Sequence, residues 1–505
     1  MRAQGWSVLA LCFGVVLTAC SLACGSGSGG GTPESAIMQT QNPLVAQYQV
    51  SNFSRGNVWV EFGTDTTYGR QTSVEPENNQ YNNTATVLVA GMKANTTYHM
   101  RAHVDYDYGG SWIDQDHTFR TGSLPSTNQL SLKVTRPDPN MHVQQAGVEL
   151  LDIEAPGTNN LGAAVVDLDG NVIWYYSPSP TTFPFPIKPL PNGDMLLCFD
   201  NLIESDLAGN TIRTLSLDSL NQRLQAAGYS FQVLALHHDV LILPNGHWVL
   251  LGQISKTFTN LPGYPGSLAV LGDVLIDVDQ NWNPGWAWSS FDHLDVNRHL
   301  MGLPDWTHAN AVVYSPEDGN IILSMRNQSW ILKIEYENGA GSGDILWRLG
   351  EGGDFELAGG DPSEWFYAQH YPSVISANGS QMQLAIFDDG NLRIPEGGGS
   401  GCEGYYPVCN SRAVIVNLDE STKAAAIEWQ FSPGLFTPWG GSIVALDNGD
   451  IDFDVTDPFV ATVGSRVFEV TRTDNPQVVW QLDITGGNAY RAYRIPSLYP
   501  GIVWH

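Results

Sequence analysis

The sequence predicts an all-β protein, a six-bladed β-propeller preceded by a small β-sandwich domain. Three observations carry that expectation. The 505 residues include 52 Gly, 29 Pro and 16 Trp, so turn formers and large aromatics abound while long helical runs of Ala, Leu, Lys and Glu are missing. Short runs that alternate apolar and polar residues recur between Gly/Asn/Asp/Thr clusters, the period-two pattern of strands with one buried face. Beyond residue 140 two kinds of unit repeat, one closing on Trp and one opening on an Asn-Gly turn. Internal repetition in a long β chain points to blades.

With 23 Lys+Arg against 52 Asp+Glu the formal net charge is −29. Such a surface repels phosphate backbones and offers no basic stripe, which argues against DNA or RNA as a partner. Anionic small molecules stay admissible where a local cluster overrides the global field.

Residues 1–24 read as a signal peptide and lipobox region. Arg2 precedes an apolar run from Trp6 to Leu17, and Leu17-Thr18-Ala19-Cys20 resembles a bacterial lipobox, in which the Cys becomes the lipidated first residue. Residues 25–35 would be a Gly/Ser-rich tether. Simple signal cleavage near the same place is the alternative. No later run reaches the ~20 apolar residues of a membrane span. The mature chain is therefore expected to be exported to the periplasm, with a membrane tether if Cys20 is lipidated.

Residues 36–123 hold alternating runs such as Val58-Trp59-Val60-Glu61-Phe62 and the stretch 97–104, which predict the sandwich. The stretch 88–98 and the closing Thr118-Phe119-Arg120-Thr121-Gly122 resemble fibronectin type III-like modules. Residues 124–139, with Pro125, Pro137 and Pro139, read as a linker. Residues 140–505 would form the propeller. Outer hairpins end at Trp174, Trp288, Trp347, Trp429 and Trp480, and a Trp-less copy at 205–217 brings the units to six. Asn192-Gly193, Asn245-Gly246 and Asn448-Gly449 supply the positive φ angles that tight hairpins need. The turn Asp167-x-Asp169-Gly170-Asn171 lacks the third carboxylate position and distal Glu of a calcium loop.

Three cysteines, Cys12, Cys20 and Cys24, belong to the signal region. Cys402 and Cys409 flank a short, turn-rich loop and are expected to form a disulfide in an oxidising compartment. Cys198, inside the apolar stretch 195–199, reads as a buried strand thiol. Too few cysteines remain for a thiolate metal site, and no metal or cofactor is expected.

Three histidine positions stand just before apolar strands: His237-His238 before 240–243, His308 before 311–314, and His370 ahead of 383–387. In a propeller the innermost strand of each blade begins at the central channel. Residues just before successive inner strands would therefore meet at one mouth. Arg326 lies on the strand after the His308 strand. A guanidinium among imidazoles suits an oxyanion, because its planar fork matches a tetrahedral anion. The same histidines could instead hold a metal ion.

The segments HHDVLILPNGH (237–247), DWTHANAVVYSPEDGNIILSMRNQS (305–329), AQH (368–370) with IFDDGN (386–391), and YRAYRIPSLYPG (490–501) resemble the bacterial arylsulfate sulfotransferases. The resemblance spans nearly all of 140–505. It implies a six-bladed propeller behind a small β domain and sulfuryl transfer from a phenolic sulfate donor to a phenol acceptor, without a nucleotide donor. By motif position the transiently sulfurylated histidine falls on His370. His308 and Arg326 would bind the sulfuryl oxygens, with Asn310 in support. One of His237 and His238 would be a further catalytic residue, and which of the two stays open. The family's disulfide lies near its nucleophile, and whether Cys402–Cys409 corresponds to it also stays open.

Aromatic residues around the mouth would receive the phenol, with Tyr371, Trp306 and Trp439 as candidates. Tyr490 and Arg491 would line the site or pack the closing blade. Two half-reactions through one pocket predict ping-pong kinetics. The rival expectations are a non-catalytic exported binding propeller and a metal-dependent aryl ester hydrolase using the same histidines. A homodimer is left open.

Overall fold

The computed structural model describes residues 32–505 apart from 54, 77–82, 126–129, 138–142, 155–160, 178–184, 199–200, 362–363, 394–401, 403–408 and 459–462. Cys20, the whole signal region and residues 25–31 of the expected tether lie outside the described residues.

The chain is all-β. Strands Glu34–Gln39, Ala46–Ser51 and Ala85–Val89 form one N-terminal sheet, and a second is built on Gly56–Gly63 and Thr97–Tyr106. Their alternation is visible in burial: Ala46, Tyr48 and Val50 face inward with Val58, Val60, Phe62, Met100 and Ala102, while the residues between them look out. The first strand begins at Glu34, inside the segment expected to be tether.

Six further sheets follow among the described residues, each with a core of four antiparallel strands. Their innermost strands are β1 (Ile187–Pro189), β2 (Ala235–Ile242), β3 (Ala309–Ser315), β4 (His370–Asn378), β5 (Ile443–Ala445) and β6 (Asn488–Ile495). The sheet carrying β6 takes its other three strands from the start of the repeat region, Val148–Glu154, Ala163–Val166 and Val172–Tyr176. One sheet therefore joins both ends of that region. Strands next to the inner ones are buried on both faces over much of their length, as in Asn320–Met325 and Ile451–Thr456, because apolar layers pack against them from either side.

Those layers run in cyclic order. Leu196 and Leu202 of the β1 sheet meet Leu250 and Ile276 of the β2 sheet, and Val249 and Leu275 meet Ile321 and Leu323 of the β3 sheet. The series continues through Ile331 with Val414, and Phe387 with Phe453, until Trp480 and Leu482 meet Leu151 and Val166 of the sheet that carries β6. The repeated tryptophans tie neighbours together. Trp174, Trp288, Trp429 and Trp480 are buried, and each indole N–H donates to a backbone carbonyl in the next sheet's outer hairpin: Leu207 at 2.8 Å, Gly343 at 3.0 Å, Thr473 at 3.2 Å and Leu168 at 2.9 Å.

The segment 124–139, expected as a linker, is corrected by the structure. Strand Ser131–Thr135 within it pairs with Val478–Thr485 as the outermost strand of the β5 sheet. Leu132 and Val134 face the core on alternate positions while Ser131, Lys133 and Thr135 are exposed, so period-two alternation outweighs the flanking prolines. At Asp167 the carboxylate is occupied by its own turn, accepting from the Asn171 backbone N–H at 2.9 Å and from the Asp169 N–H at 3.1 Å.

The sandwich docks on the chain just after β6. Trp504 meets Phe62 edge-on at 6.0 Å and donates to Gln71 O, and the Tyr499 hydroxyl donates to Leu88 O at 2.7 Å. These contacts follow the C-terminal end of β6, at the opposite end of that strand from Tyr490 and Arg491. Since Trp480 both fills the layer between the β5 and β6 sheets and bonds across it, Trp480→Ala is expected to cost about 3–5 kcal/mol. The urea midpoint should fall accordingly, and an unchanged midpoint would show that this layer does not limit stability.

Candidate functional site

The site is built on irregularities at the start of the inner strands. Pairing slips between Leu236 and Val240 in β2, between Ala309 and Ala311 in β3, and between His370 and Ser373 in β4. In β6 the partners skip from Ala489 to Ala492, leaving Tyr490 and Arg491 out of register. A bulge inserts residues without ladder partners and re-aims their side chains. His237, His238, Asn310, Tyr490 and Arg491 are such residues. Positive φ angles at His238 (58°) and His308 (47°) mark a backbone held in the sparsely populated left-handed region.

These bulges gather the histidines. The rings of His238 and His308 lie 4.8 Å apart, and Tyr490 sits between His238 at 5.6 Å and His370 at 6.0 Å. Phe185 packs on Tyr490 at 4.8 Å, and Trp439 stacks on its other side at 6.2 Å with planes 15° apart. Of the adjacent pair, His238 is the one in contact with His308 and Tyr490. His237 stands behind it, its Nδ1 2.7 Å from His238 Nδ1 and its Nε2 3.2 Å from Asp273 Oδ1.

Arg326 joins this group through the loops on either side. Its backbone N–H donates to His308 O at 3.2 Å, and its Nη2 donates to Pro438 O at 2.7 Å. Nη1 donates to Asn327 Oδ1 at 2.8 Å, while the buried Nε has no partner among the described residues. The 437–441 loop supplies a donor as well: the Gly440 N–H lies 3.3 Å from His370 Nε2. Glycine is required there, since φ is +78° and a Cβ would stand 2.7 Å from Thr456 Oγ1.

Each histidine has its own electrostatic setting. His370 is 1 % exposed and its Nδ1 lies 2.9 Å from Asp389 Oδ2. Burial, reinforced by the positive charges of Arg326, His308 and Arg491, holds its imidazole well below the ordinary histidine value. Burial likewise pushes the Asp389 carboxyl well above the carboxylate range, with Arg326 opposing. His238 is also held well below its usual value, by burial and then by His308, His237 and Arg491. His308 is more open, and its Nδ1 contacts Asp305 Oδ2 at 2.5 Å. Burial alone would raise Asp305, but that hydrogen bond and the His308 and Arg326 charges hold it low.

Other expected residues sit differently. Asn310 is fully buried and donates through Nδ2 to Gln369 O at 2.8 Å, so it secures the backbone before His370. Arg491 is also fully buried. Its Nη2 donates to Asn310 O, and its guanidinium lies over the rings of Tyr371 at 4.5 Å and Tyr490 at 5.2 Å. Tyr371 is on the far side of Arg491 from Tyr490, lining a separate cavity of about 530 Å³ with Lys188, Leu241 and Val312. Trp306, a candidate for phenol binding, is buried against Phe291 at 5.3 Å and donates to Arg298 O. Its size and apolarity suit a phenol platform, but the core claims them. A disulfide joins Cys402 and Cys409, and both pack against Phe436, just ahead of the loop that bears Trp439 and Gly440.

Sequence reasoning missed the carboxylates behind the histidines. Asp389 carried a readable signal, since two successive Asp residues after a buried strand must point to opposite faces. Asp388 goes to Arg412 at 2.7 Å and to Arg393, and Asp389 goes to His370. Asp273 and Asp305 gave no comparable signal. Among the described residues no group of three or more His, Cys, Asp or Glu side chains is arranged to hold a metal ion.

The bulges thus gather imidazoles, the Arg326 guanidinium and stacked aromatics at one end of the inner strands. The model of the arylsulfotransferase (ASST) family matches residues 137–494, and the chain belongs to that family. No curated protein matches it. Among solved structures, dihydro-heme d1 dehydrogenase NirN is 12% identical with a TM-score of 0.31, covering 72% of this chain and 80% of its own. A Bacteroides fragilis protein is 9% identical with a TM-score of 0.28, covering 72% and 96%. Likenesses this loose carry no argument.

With both pKa shifts directed downward, His370 and His238 should stay neutral as pH falls through the ordinary imidazole range near ~6.5. Histidine ¹⁵N NMR should show two rings whose shifts do not move between about pH 8 and 5.5. Uniform titration of all twelve histidines would refute the burial argument.

Proposed function

We propose that the six cyclically packed sheets are the blades of a β-propeller, and that the chain is an arylsulfate sulfotransferase working by a ping-pong mechanism through sulfurylated His370, without a nucleotide donor. The observation that carries this reading is the company of His370. It is a buried imidazole kept neutral by its surroundings, within the field of Arg326 and His308. Family membership supports a phenolic sulfate donor and a phenol acceptor.

In the first half-reaction His370 Nε2, the nitrogen that accepts from Gly440, attacks sulfur in line. The Nε2–S bond forms, the S–O(aryl) bond breaks, and its electron pair goes to the aryl oxygen. Charge that develops on the sulfuryl oxygens is met by Arg326, and by the Gly440 N–H once the attack has taken the Nε2 lone pair from it. His308, open to solvent and paired with Asp305, suits proton delivery to the departing aryl oxygen. In the second half-reaction the acceptor phenol gives its proton to His308 and its oxygen attacks the sulfur, while the Nε2–S bond breaks and its electron pair returns to Nε2. Trp439, Tyr490 and Phe185 offer aromatic surface for either phenol.

The test is turnover of a chromogenic aryl sulfate without nucleotide, with and without added phenol. Phenol-dependent release matched by sulfated acceptor is expected. His370→Asn should lower it ~10³-fold or more, and Arg326→Ala by ~10²–10³-fold. Folded wild-type protein that is inactive on varied donors would favour the binding propeller, and acceptor-independent, chelator-sensitive release would favour a metal hydrolase.

The leader supports export to the periplasm with Cys20 as the lipidated residue. Wild-type protein is then expected in the membrane fraction and a Cys20→Ser variant in the soluble one. Equal partition of the two would sink the tether.

A further inference from the structure

Asp388 and Asp389 are adjacent, fully buried carboxylates with opposite fates. Asp388 is neutralised by Arg412 and Arg393 and accepts from the Tyr367 N–H at 2.9 Å. Asp389 has no arginine or lysine ion partner among the described residues. Among the described residues neither of its oxygens accepts an aligned hydrogen bond, and its one ion contact is His370 Nδ1 at 2.9 Å, with the Arg326 charge acting from further off. A carboxylate buried with so little compensation is costly, and burial accordingly pushes the Asp389 carboxyl well above the carboxylate range, so the resting site resists its ionisation. The cost is offset when positive charge appears beside it.

We infer that Asp389 is the positioning residue of the transfer: it fixes His370 in the tautomer that carries hydrogen on Nδ1 and the lone pair on Nε2, and it neutralises the ring cation formed when Nε2 is sulfurylated. The inference deepens the proposed mechanism and rests on it. Two hydrogen-bonding directions agree with it. Asp389 Oδ2 faces Nδ1, where an acceptor favours N–H, and the Gly440 N–H faces Nε2, where a donor favours the lone pair.

The proton count is simple. On attack, Nε2 gives its pair to sulfur, the S–O(aryl) pair leaves with the aryl oxygen, and Nδ1 keeps its hydrogen. The ring passes from neutral to cationic with Asp389 Oδ2 beside Nδ1 as its counter-charge. Return of the sulfuryl group to an acceptor phenol reverses each of these changes. Burial disfavours the ionised carboxyl at rest, and the cation formed on the ring beside it favours that accepting form. His308 differs, since its carboxylate partner Asp305 is partly exposed and solvent shares the charge.

The experiment compares wild type, Asp389→Asn and Asp389→Ala for the single-turnover rate of aryl release without acceptor, together with the ¹⁵N signals of His370. An Asn amide would donate to Nδ1 and force hydrogen onto Nε2. Asp389→Asn should therefore be the slower variant, by about 10³–10⁴-fold as for other wrong-tautomer substitutions, with the Nε2 signal moved to the protonated position. Asp389→Ala leaves the tautomer free and should lose about tenfold less. A purely structural role predicts the reverse order, because Asn keeps the shape of Asp and Ala opens a cavity. Ala slower than Asn, or an unchanged Nε2 signal in the Asn variant, would overturn the inference. Wild type without aryl release would instead overturn the transfer mechanism itself.

Discussion

The antiparallel pairing of β6 with Val148–Glu154 is the contact on which the rest of the molecule depends. It brings strands from opposite ends of a long region into one sheet, so that sheet cannot be completed until the chain is almost complete. Loop-closure entropy for such a contact is large, and apolar burial must repay it. The layer of Trp480, Leu482, Ile484, Leu151 and Ala492 supplies that burial. Tyr490 and Arg491 ride on the same strand, so the pairing that completes the core also delivers two residues to the site. Arg494 is held by Glu149 at 2.8 Å and Glu469 at 2.8 Å, which fixes the strand's position by charge as well as by packing.

The site exists because the inner strands depart from regular pairing at one end. Regular alternation would send neighbouring residues to opposite faces. A bulge lets His238, Tyr490 and Arg491 leave the ladder while the strand continues beyond them, and the ladder resumes at Val240 and Ala492. Strain at His238 and His308 is therefore confined to single residues braced by long, buried strands. Rigid strands hold the imidazoles, and the 437–441 loop, backed by the Cys402–Cys409 disulfide, brings the Gly440 N–H to one of them.

Much of this was legible in the residues. The recurring Trp and Asn-Gly units gave the number and spacing of the sheets, because each copy must bury the same layer. The placement of His238, His308 and His370 before apolar strands pointed to one mouth. Other features depended on three dimensions. Ser131–Thr135 looked like linker because its strand partner lies some 350 residues away in sequence, with Ser131 opposite Thr485. Trp306 and Tyr371 are large aromatics near site histidines in sequence, yet one is core and the other lines a different cavity. Sequence spacing cannot distinguish these, since rotation about one bulged residue decides which way a ring points. His237 and His238 posed the same problem in its sharpest form.

The charge of the protein and the charge of the site pull in opposite directions, and the conflict bears on catalysis. A net −29 surface repels an anionic ester, while in the proposed mechanism Arg326 and the backbone N–H of Gly440 would attract its head group only at close range. Keeping His238 and His370 neutral limits how tightly the resting site can hold any sulfate. That restraint is useful in a transferase, because donor and product are anions of the same kind and equal stabilisation of bound ester and transition state adds nothing to the rate. In the proposed mechanism, positive charge that arises on the ring only as the N–S bond forms would act on the transition state and the covalent intermediate. It leaves the departing sulfate ester with a weaker hold, so release of product need not limit turnover.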